Sequence, residues 1–248
     1  MNLKKSIKKY FTKPTVKTTV GTLNEFTRVS WLEKVLKDIP KGNKILDAGA
    51  GEQPFKRFCD HLEYVSQDFA KYKPEELNSG LQMEKWDYGE LDIVSDIASI
   101  PAENESFDAI MCTEVFEHII NPRDAIKEFS RLLKRDGYLI VTAPFCSLTH
   151  FAPYHFYTGF NKFFYEEELV KNGFYDIEII PNGNYFEYLA QEINRLSQVA
   201  KQYSNVDINQ KELENISQLK VLLQKLTDKD SNSSELLCFG FHVLARKK

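Results

Sequence analysis

Lys44-Ile45-Leu46-Asp47-Ala48-Gly49-Ala50-Gly51-Glu52-Gln53-Pro54-Phe55 is the stretch on which the fold assignment turns. Ile45 and Leu46 close a short apolar run, Asp47 follows, and Gly49 and Gly51 punctuate a turn before the chain becomes polar. That order reads as a buried strand running into a tight loop. Glycine lacks Cβ, so the backbone at both positions is free to take positive φ and to let a ligand approach to contact distance. An ordinary strand-to-helix turn has the same look, and only the residues downstream of the loop separate the two. A dinucleotide-binding loop needs a third glycine for close helix packing over a pyrophosphate. Here that place is held by Pro54, and Glu52 would repel a pyrophosphate.

Working outward, Trp31, Leu32, Val35 and Leu36 share one face of a helix spanning Asn24 to Leu36, with Asn24 as its cap and Pro40-Lys41-Gly42 as its stop. Beyond the loop, Phe55, Phe58, Cys59 and Leu62 repeat at helical spacing and predict a crossover helix. The next strand, Tyr64 to Gln67, ends at Asp68. An acid roughly 20 residues past a glycine turn, at a strand end, accepts hydrogen bonds from ribose hydroxyls. Phe69 beside it is placed either to cover an adenine face or to join the core. Strands then follow at Ile93–Ile97, with Asp96 near the end, at Phe107–Thr113, and at Tyr138–Ala143. Between the last two, Asn121-Pro122 opens a helix running to Lys134 and Arg135 and closed by Gly137. Strands alternating with helices predict an α/β fold, a doubly wound and mostly parallel sheet with ligands at the carboxyl ends of its strands.

The block from Lys44 to Pro144 resembles the class I S-adenosylmethionine-dependent methyltransferases, in their small-molecule branch. The resemblance rests on I-L-D-A-G-A-G at Ile45–Gly51, on S-F-D-x-I-x-C-x-E-V-x-E-H at Ser106–His118, and on L-L-K-x-x-G-x-L-I-V-T-A-P at Leu132–Pro144. Where the family usually has a further glycine, this chain has Gln53. The resemblance implies a seven-stranded Rossmann-like sheet whose last strand inserts antiparallel, with S-adenosylmethionine as cofactor. It implies that Asp47, Gly49, Gly51, Gln53, Asp68 and Phe69 surround the cofactor, together with Asp96 and Ile97 at the adenine and Thr113 and Glu114 after the fourth strand. Two rivals stay open at this point: a binding protein that has lost catalysis, and a nicotinamide-dependent oxidoreductase.

Methyl transfer from a sulfonium is an in-line displacement, so the protein mainly aligns the acceptor and excludes water. An alcohol or phenol acceptor must also lose a proton, for which histidine is the natural base. His118 follows the fourth strand; His150 and His155 follow the fifth. Glu114, Glu117 and His118 lie three and four residues apart, spacing that on one helical turn places Glu114 on the face of either partner. In similar small-RNA and ubiquinone O-methyltransferases this motif holds a divalent metal such as Mg²⁺, with a further histidine at about the place of His155. His118, His155 and Glu117 are accordingly the candidate catalytic residues, and the resemblance leaves metal use open. Phe151 to Tyr165 carries eight aromatic residues, fit for an acceptor wall or for a core flap. Aromatic content favours a hydroxyl acceptor such as a sugar or polysaccharide precursor.

The chain has 248 residues, 42% hydrophobic and 27% charged, enough for one α/β domain with an insertion. Its formal charge of -4 argues against a general nucleic-acid binder. No apolar run reaches the roughly 20 residues of a membrane span, so stable membrane insertion is not expected and the cytoplasm is the expected compartment. Cys59, Cys112, Cys146 and Cys238 lack metal-type spacing and read as isolated thiols. Residues 1–20 form a basic arm ahead of a methyltransferase domain over 21–248. Helix Glu166 to Gly173 leads into strand Phe174–Ile180. Residues 181–234 then carry two amphipathic helices as an insertion before a seventh strand at Leu236–Ala245. The leucine stripes of that insertion fit either intramolecular packing in a monomer or a homodimer face.

Overall fold

The computed structural model describes residues 18–74, 80–81 and 85–248. Of the basic arm, residues 1–17 lie outside that range. Seven strands form one sheet: β1 (Lys44–Ala48), β2 (Glu63–Asp68), β3 (Ile93–Val94), β4 (Phe107–Thr113), β5 (Leu133–Pro144), β6 (Phe174–Asn182) and β7 (Gly240–Lys247). Their order is β3-β2-β1-β4-β5-β7-β6, and β7 runs against its neighbours, pairing antiparallel with both β5 and β6. The chain order reverses between β1 and β4, which opens a crevice at the carboxyl edge of the sheet.

Both faces of the sheet are buried, as continuous apolar strands require. Ile45, Ala109, Met111 and Ile140 pack beneath α1 (Asn24–Lys37) through Leu32 and Leu36. Leu46, Ile110, Cys112, Leu139 and Val141 pack on the opposite face with α2 (Pro122–Leu132) and α3 (Lys162–Lys171) through Phe129, Tyr165 and Leu169. The insertion is a helical pair, α4 (Tyr185–Ser204) and α5 (Gln210–Thr227), between β6 and β7. Asn184 caps the first helix, and Asn209 with Glu212 forms a reciprocal capping box on the second. Val20 tucks between Ala190 and Leu223, tying the entering chain to this pair.

Several expectations are revised. The crossover helix after the glycine loop is only a short 3₁₀ turn, Lys56–Phe58. The apolar spacing there serves a different end: Phe55, Phe58 and Leu62 pack against the cluster under α1, so α1 covers the face that a crossover helix would cover. Asn24 is not a cap; its amide binds Gln191 at 3.0 Å and its carbonyl groups receive Asn182. Strand β5 starts at Leu133, directly after α2, with a register shift between the Leu133 and Tyr138 pairings that absorbs Lys134–Gly137. Strand β3 is two residues long, and β7 begins at Gly240 and not at Leu236.

Candidate active site

A cavity of about 740 Å³ lies over the carboxyl ends of β1, β2 and β4. Its floor is the glycine loop. Gly49 has φ +79°, and a Cβ there would lie 2.5 Å from the Val115 side chain; Gly51 has φ +51° and would place a Cβ 2.8 Å from the Trp86 ring. Both the backbone conformation and the space therefore require glycine. The loop is pinned to β2 by the Gly49 and Ala50 amides, which donate to the Gln67 carbonyl at 2.8 and 2.9 Å.

Two buried carboxylates stand beside the loop. Asp68 accepts from the amides of Gly51 and Ala70, each at 3.0 Å, and burial still raises its pKa. Asp47, 2% exposed, accepts from the Tyr64 hydroxyl at 2.6 Å. Burial pushes its carboxyl up to about 7, against the lowering effect of that hydroxyl and with a further push from Asp68. Phe69, Asp96 and Ile97 line the next part of the wall, and Trp86 and Phe151 meet edge to face with centroids 4.7 Å apart.

The far wall follows β4. Thr113 and Glu114 both line the cavity, but Glu114 sits at φ +54°, ahead of the 3₁₀ turn Phe116–His118. Its carboxylate is drawn toward α1, where Arg28 meets it at 3.2 Å. Glu114 is thus separated from Glu117, which is 1% exposed and points beneath the wall. Three imidazoles gather above Glu117. The rings of His118 and His150 have centroids 4.7 Å apart, and His155 lies 4.8 Å from His150 and 5.9 Å from His118. His118 Nδ1 faces the Tyr154 carbonyl at 2.7 Å and His150 Nδ1 faces that of Leu148 at 2.8 Å. A carbonyl only accepts, so both rings carry hydrogen on Nδ1. Their Nε2 atoms lie 3.7 and 4.0 Å from Glu117 Oε1. Burial, reinforced by His150, holds the His118 pKa at about 3 and lowers that of His155. Burial and the Glu114 charge push Glu117 well above the usual carboxylate range.

A family model described as a methyltransferase domain matches residues 46–141, the span that carries the glycine loop, both carboxylates and the β4 wall. Residues 46–141 thus match a methyltransferase-domain model, and the seven-stranded sheet has the fold of class I methyltransferases. The chain is similar in fold to a putative sarcosine dimethylglycine methyltransferase from Galdieria sulphuraria, with TM-score 0.55 and 14% identity over 90% of this chain and 86% of that one. An S-adenosylmethionine-dependent methyltransferase from Archaeoglobus fulgidus gives TM-score 0.55 and 15% identity over 90% and 94% of the two chains. Phosphoethanolamine N-methyltransferase 2 from Haemonchus contortus, solved with S-adenosylmethionine, gives TM-score 0.53 and 18% identity, with 90% of this chain on 52% of that one. No curated protein matches the sequence.

Of the residues singled out in the sequence, Asp47, Gly49, Gly51, Asp68, Phe69, Asp96, Ile97, Thr113, Glu114 and His118 line the cavity, whereas Gln53, Glu117 and His155 do not. The Gln53 amide faces away and donates to the carbonyls of Tyr88 at 3.0 Å and Glu90 at 2.8 Å, clamping the loop that carries Trp86. Sequence reasoning did not place Arg28 or Trp86 at the site. The aromatic segment divides its work: Phe151, Tyr154 and Phe156 face the cavity, while Phe160, Phe164 and Tyr165 pack in the core. The described residues contain no helix long and apolar enough to cross a membrane.

Proposed function

We propose that this methyltransferase binds S-adenosylmethionine over the Gly49–Gly51 loop and transfers its methyl group to a hydroxyl oxygen of a small-molecule acceptor. Asp68 receives the ribose hydroxyls, Asp96 and the Ile97 amide meet the adenine, and Asp47, Thr113 and Glu114 face the amino acid end. The observation that carries the hydroxyl assignment is the group of three imidazoles at one side of the cavity, with His118 on its wall. Its free Nε2 is an acceptor for the hydroxyl hydrogen and aligns an oxygen lone pair on the methyl carbon. As the O–C bond forms and the C–S bond breaks, the sulfonium becomes a neutral thioether and the acceptor oxygen sheds its proton. A pKa of about 3 makes His118 an aligning acceptor more than a lasting proton store. His155, further out beside Ser147 at 3.1 Å, takes the proton onward to solvent.

The donors present bear on the divalent cation that the resemblance left open. Ligand atoms of Glu117, His118 and His150 all lie within 4.8 Å of one another, and Glu117 Oε2 is buried with no partner among the described residues. These three fit a cation, whereas Glu114, held by Arg28, does not join them. Two imidazoles and one carboxylate favour a transition ion over Mg²⁺. Such an ion supplies Lewis acidity toward the acceptor oxygen when bound.

Incubating a cell extract with the protein and methyl-labelled S-adenosylmethionine, followed by mass spectrometry, tests the reading. A labelled methyl ether is the expected product. A labelled amine or carbon centre would overturn the hydroxyl assignment while keeping methyl transfer.

A further inference from the structure

The main cavity does not end at the histidines. Asn121 and Asp124 also border a second cleft of about 380 Å³, whose remaining wall includes Pro122, Tyr157, Phe160 and Phe164. The two clefts thus share a wall at the start of α2. The rim between them carries Ile120, 64% exposed, and Phe156, 44% exposed, both lining the main cavity. This apolar rim is built and held in place. The Tyr157 hydroxyl donates to the Ile120 carbonyl at 2.8 Å, and the Phe156 amide donates to the Glu117 carbonyl at 2.8 Å.

We infer that the acceptor is amphipathic: a hydroxyl head presented to His118, and an apolar body that leaves the main cavity over Ile120 and Phe156 into the second cleft. This rests on the reading of His118 as the acceptor-side residue. Electrostatics favour carbon over charge in the outer cleft, because the cation on its wall, Arg123, is already met by Glu168 at 2.7 Å and Asp124 stands beside it with the opposite sign. A sugar ring would need several converging donors and acceptors, and beyond Asn121, Asp124 and the paired Arg123 the outer wall is hydrocarbon and aromatic face. Exposed apolar residues gathered at a cavity mouth are a binding surface far more often than scattered ones.

Calorimetry on the full chain saturated with S-adenosylhomocysteine, using 4-ethylphenol and 4-hexylphenol as probes, tests this. Hexylphenol is expected to bind with one-to-one stoichiometry and at least tenfold more tightly, and Ile120→Asp or Tyr157→Ser is expected to cut that preference below threefold. Equal or undetectable binding of the two phenols overturns the inference. So does a preference that survives both substitutions, which would place the chain elsewhere. Failure of S-adenosylhomocysteine itself to bind would instead remove the cofactor assignment, a distinct result.

Discussion

At Gly49 the obstacle to a side chain is the methyls of Val115, and at Gly51 it is the indole of Trp86; in both cases a left-handed φ adds backbone strain. Strain of this type costs about 1–3 kcal/mol. Gly51→Ala is therefore expected to lower unfolding free energy by about that amount in urea titrations. Because the clash moves Trp86 or the loop, calorimetry should show S-adenosylhomocysteine affinity falling by at least tenfold. His118 acts at another level. His118→Ala should slow methyl transfer by about 10²-fold, the low end for a residue that handles the acceptor proton, with S-adenosylhomocysteine affinity kept within twofold. An unchanged rate would remove the imidazole from the reaction. Asp47, Asp68 and Asp96 were legible in the sequence because each stands at or just beyond the end of an apolar run, where the alternation of strands and turns already fixes its place. Arg28 was not so placed, and His150 was set after the fifth strand without its approach to Glu117. Arg28 sits on a helix whose apolar stripe announces only its core face, and His150 lies in a loop with no periodicity, reaching Glu117 only through tertiary packing.

Among the elements, the short link from β1 to β2 shows where periodicity misleads. Phe55, Phe58 and Leu62 have helical spacing, yet Pro54 and the short distance to β2 leave room for one 3₁₀ turn, and the apolar residues find cover under α1. The sheet itself was legible because strands buried on both faces are continuous apolar runs. The antiparallel β7 was expected from the family likeness and not from the runs themselves. The loss of a full helix also changes what holds the glycine loop. Here the Gln53 side chain donates to the carbonyls of Tyr88 and Glu90, and Glu52 accepts from the Asp87 amide at 3.1 Å, so the loop bearing Trp86 is strapped to the glycine turn from outside the cavity. Gln53→Ala should free that strap. Hydrogen exchange at residues 86–90 is expected to quicken, and S-adenosylhomocysteine binding to weaken severalfold although Gln53 does not line the cavity. Exchange rates equal to those of the parent chain would show that Trp86 is held by the aromatic cluster with Tyr72 and Phe151 alone.

For the molecule as a whole, burial of ionisable groups at the carboxyl edge of the sheet makes stability depend on pH in two opposing ways. His242 on β7 stacks on Trp31 with centroids 4.9 Å apart, and burial with the nearby Arg28 charge lowers its pKa to about 4. An unfolded histidine titrates near 6.5. The native state therefore holds fewer protons between those values, so the stability this group permits is whole above pH 6.5 and is lost as pH falls toward 4. Asp47 works the other way. Its folded pKa of about 7 lies above the unfolded 3.8, so the native state holds more protons in that window and stability falls as pH rises through it. Each pH unit separating the folded from the unfolded pKa corresponds to about 1.4 kcal/mol, so the ceiling is about 3.5 kcal/mol for His242 and about 4.5 kcal/mol for Asp47. Urea unfolding of the chain without added cofactor, measured from pH 4.5 to 8, separates them. His242→Gln should gain on the parent chain as pH falls below 6.5, and Asp47→Asn should gain on it as pH rises toward 8. Parallel curves for either variant would mean that its group titrates alike in the folded and unfolded chains, and that the carboxyl edge is wetter than its burial implies.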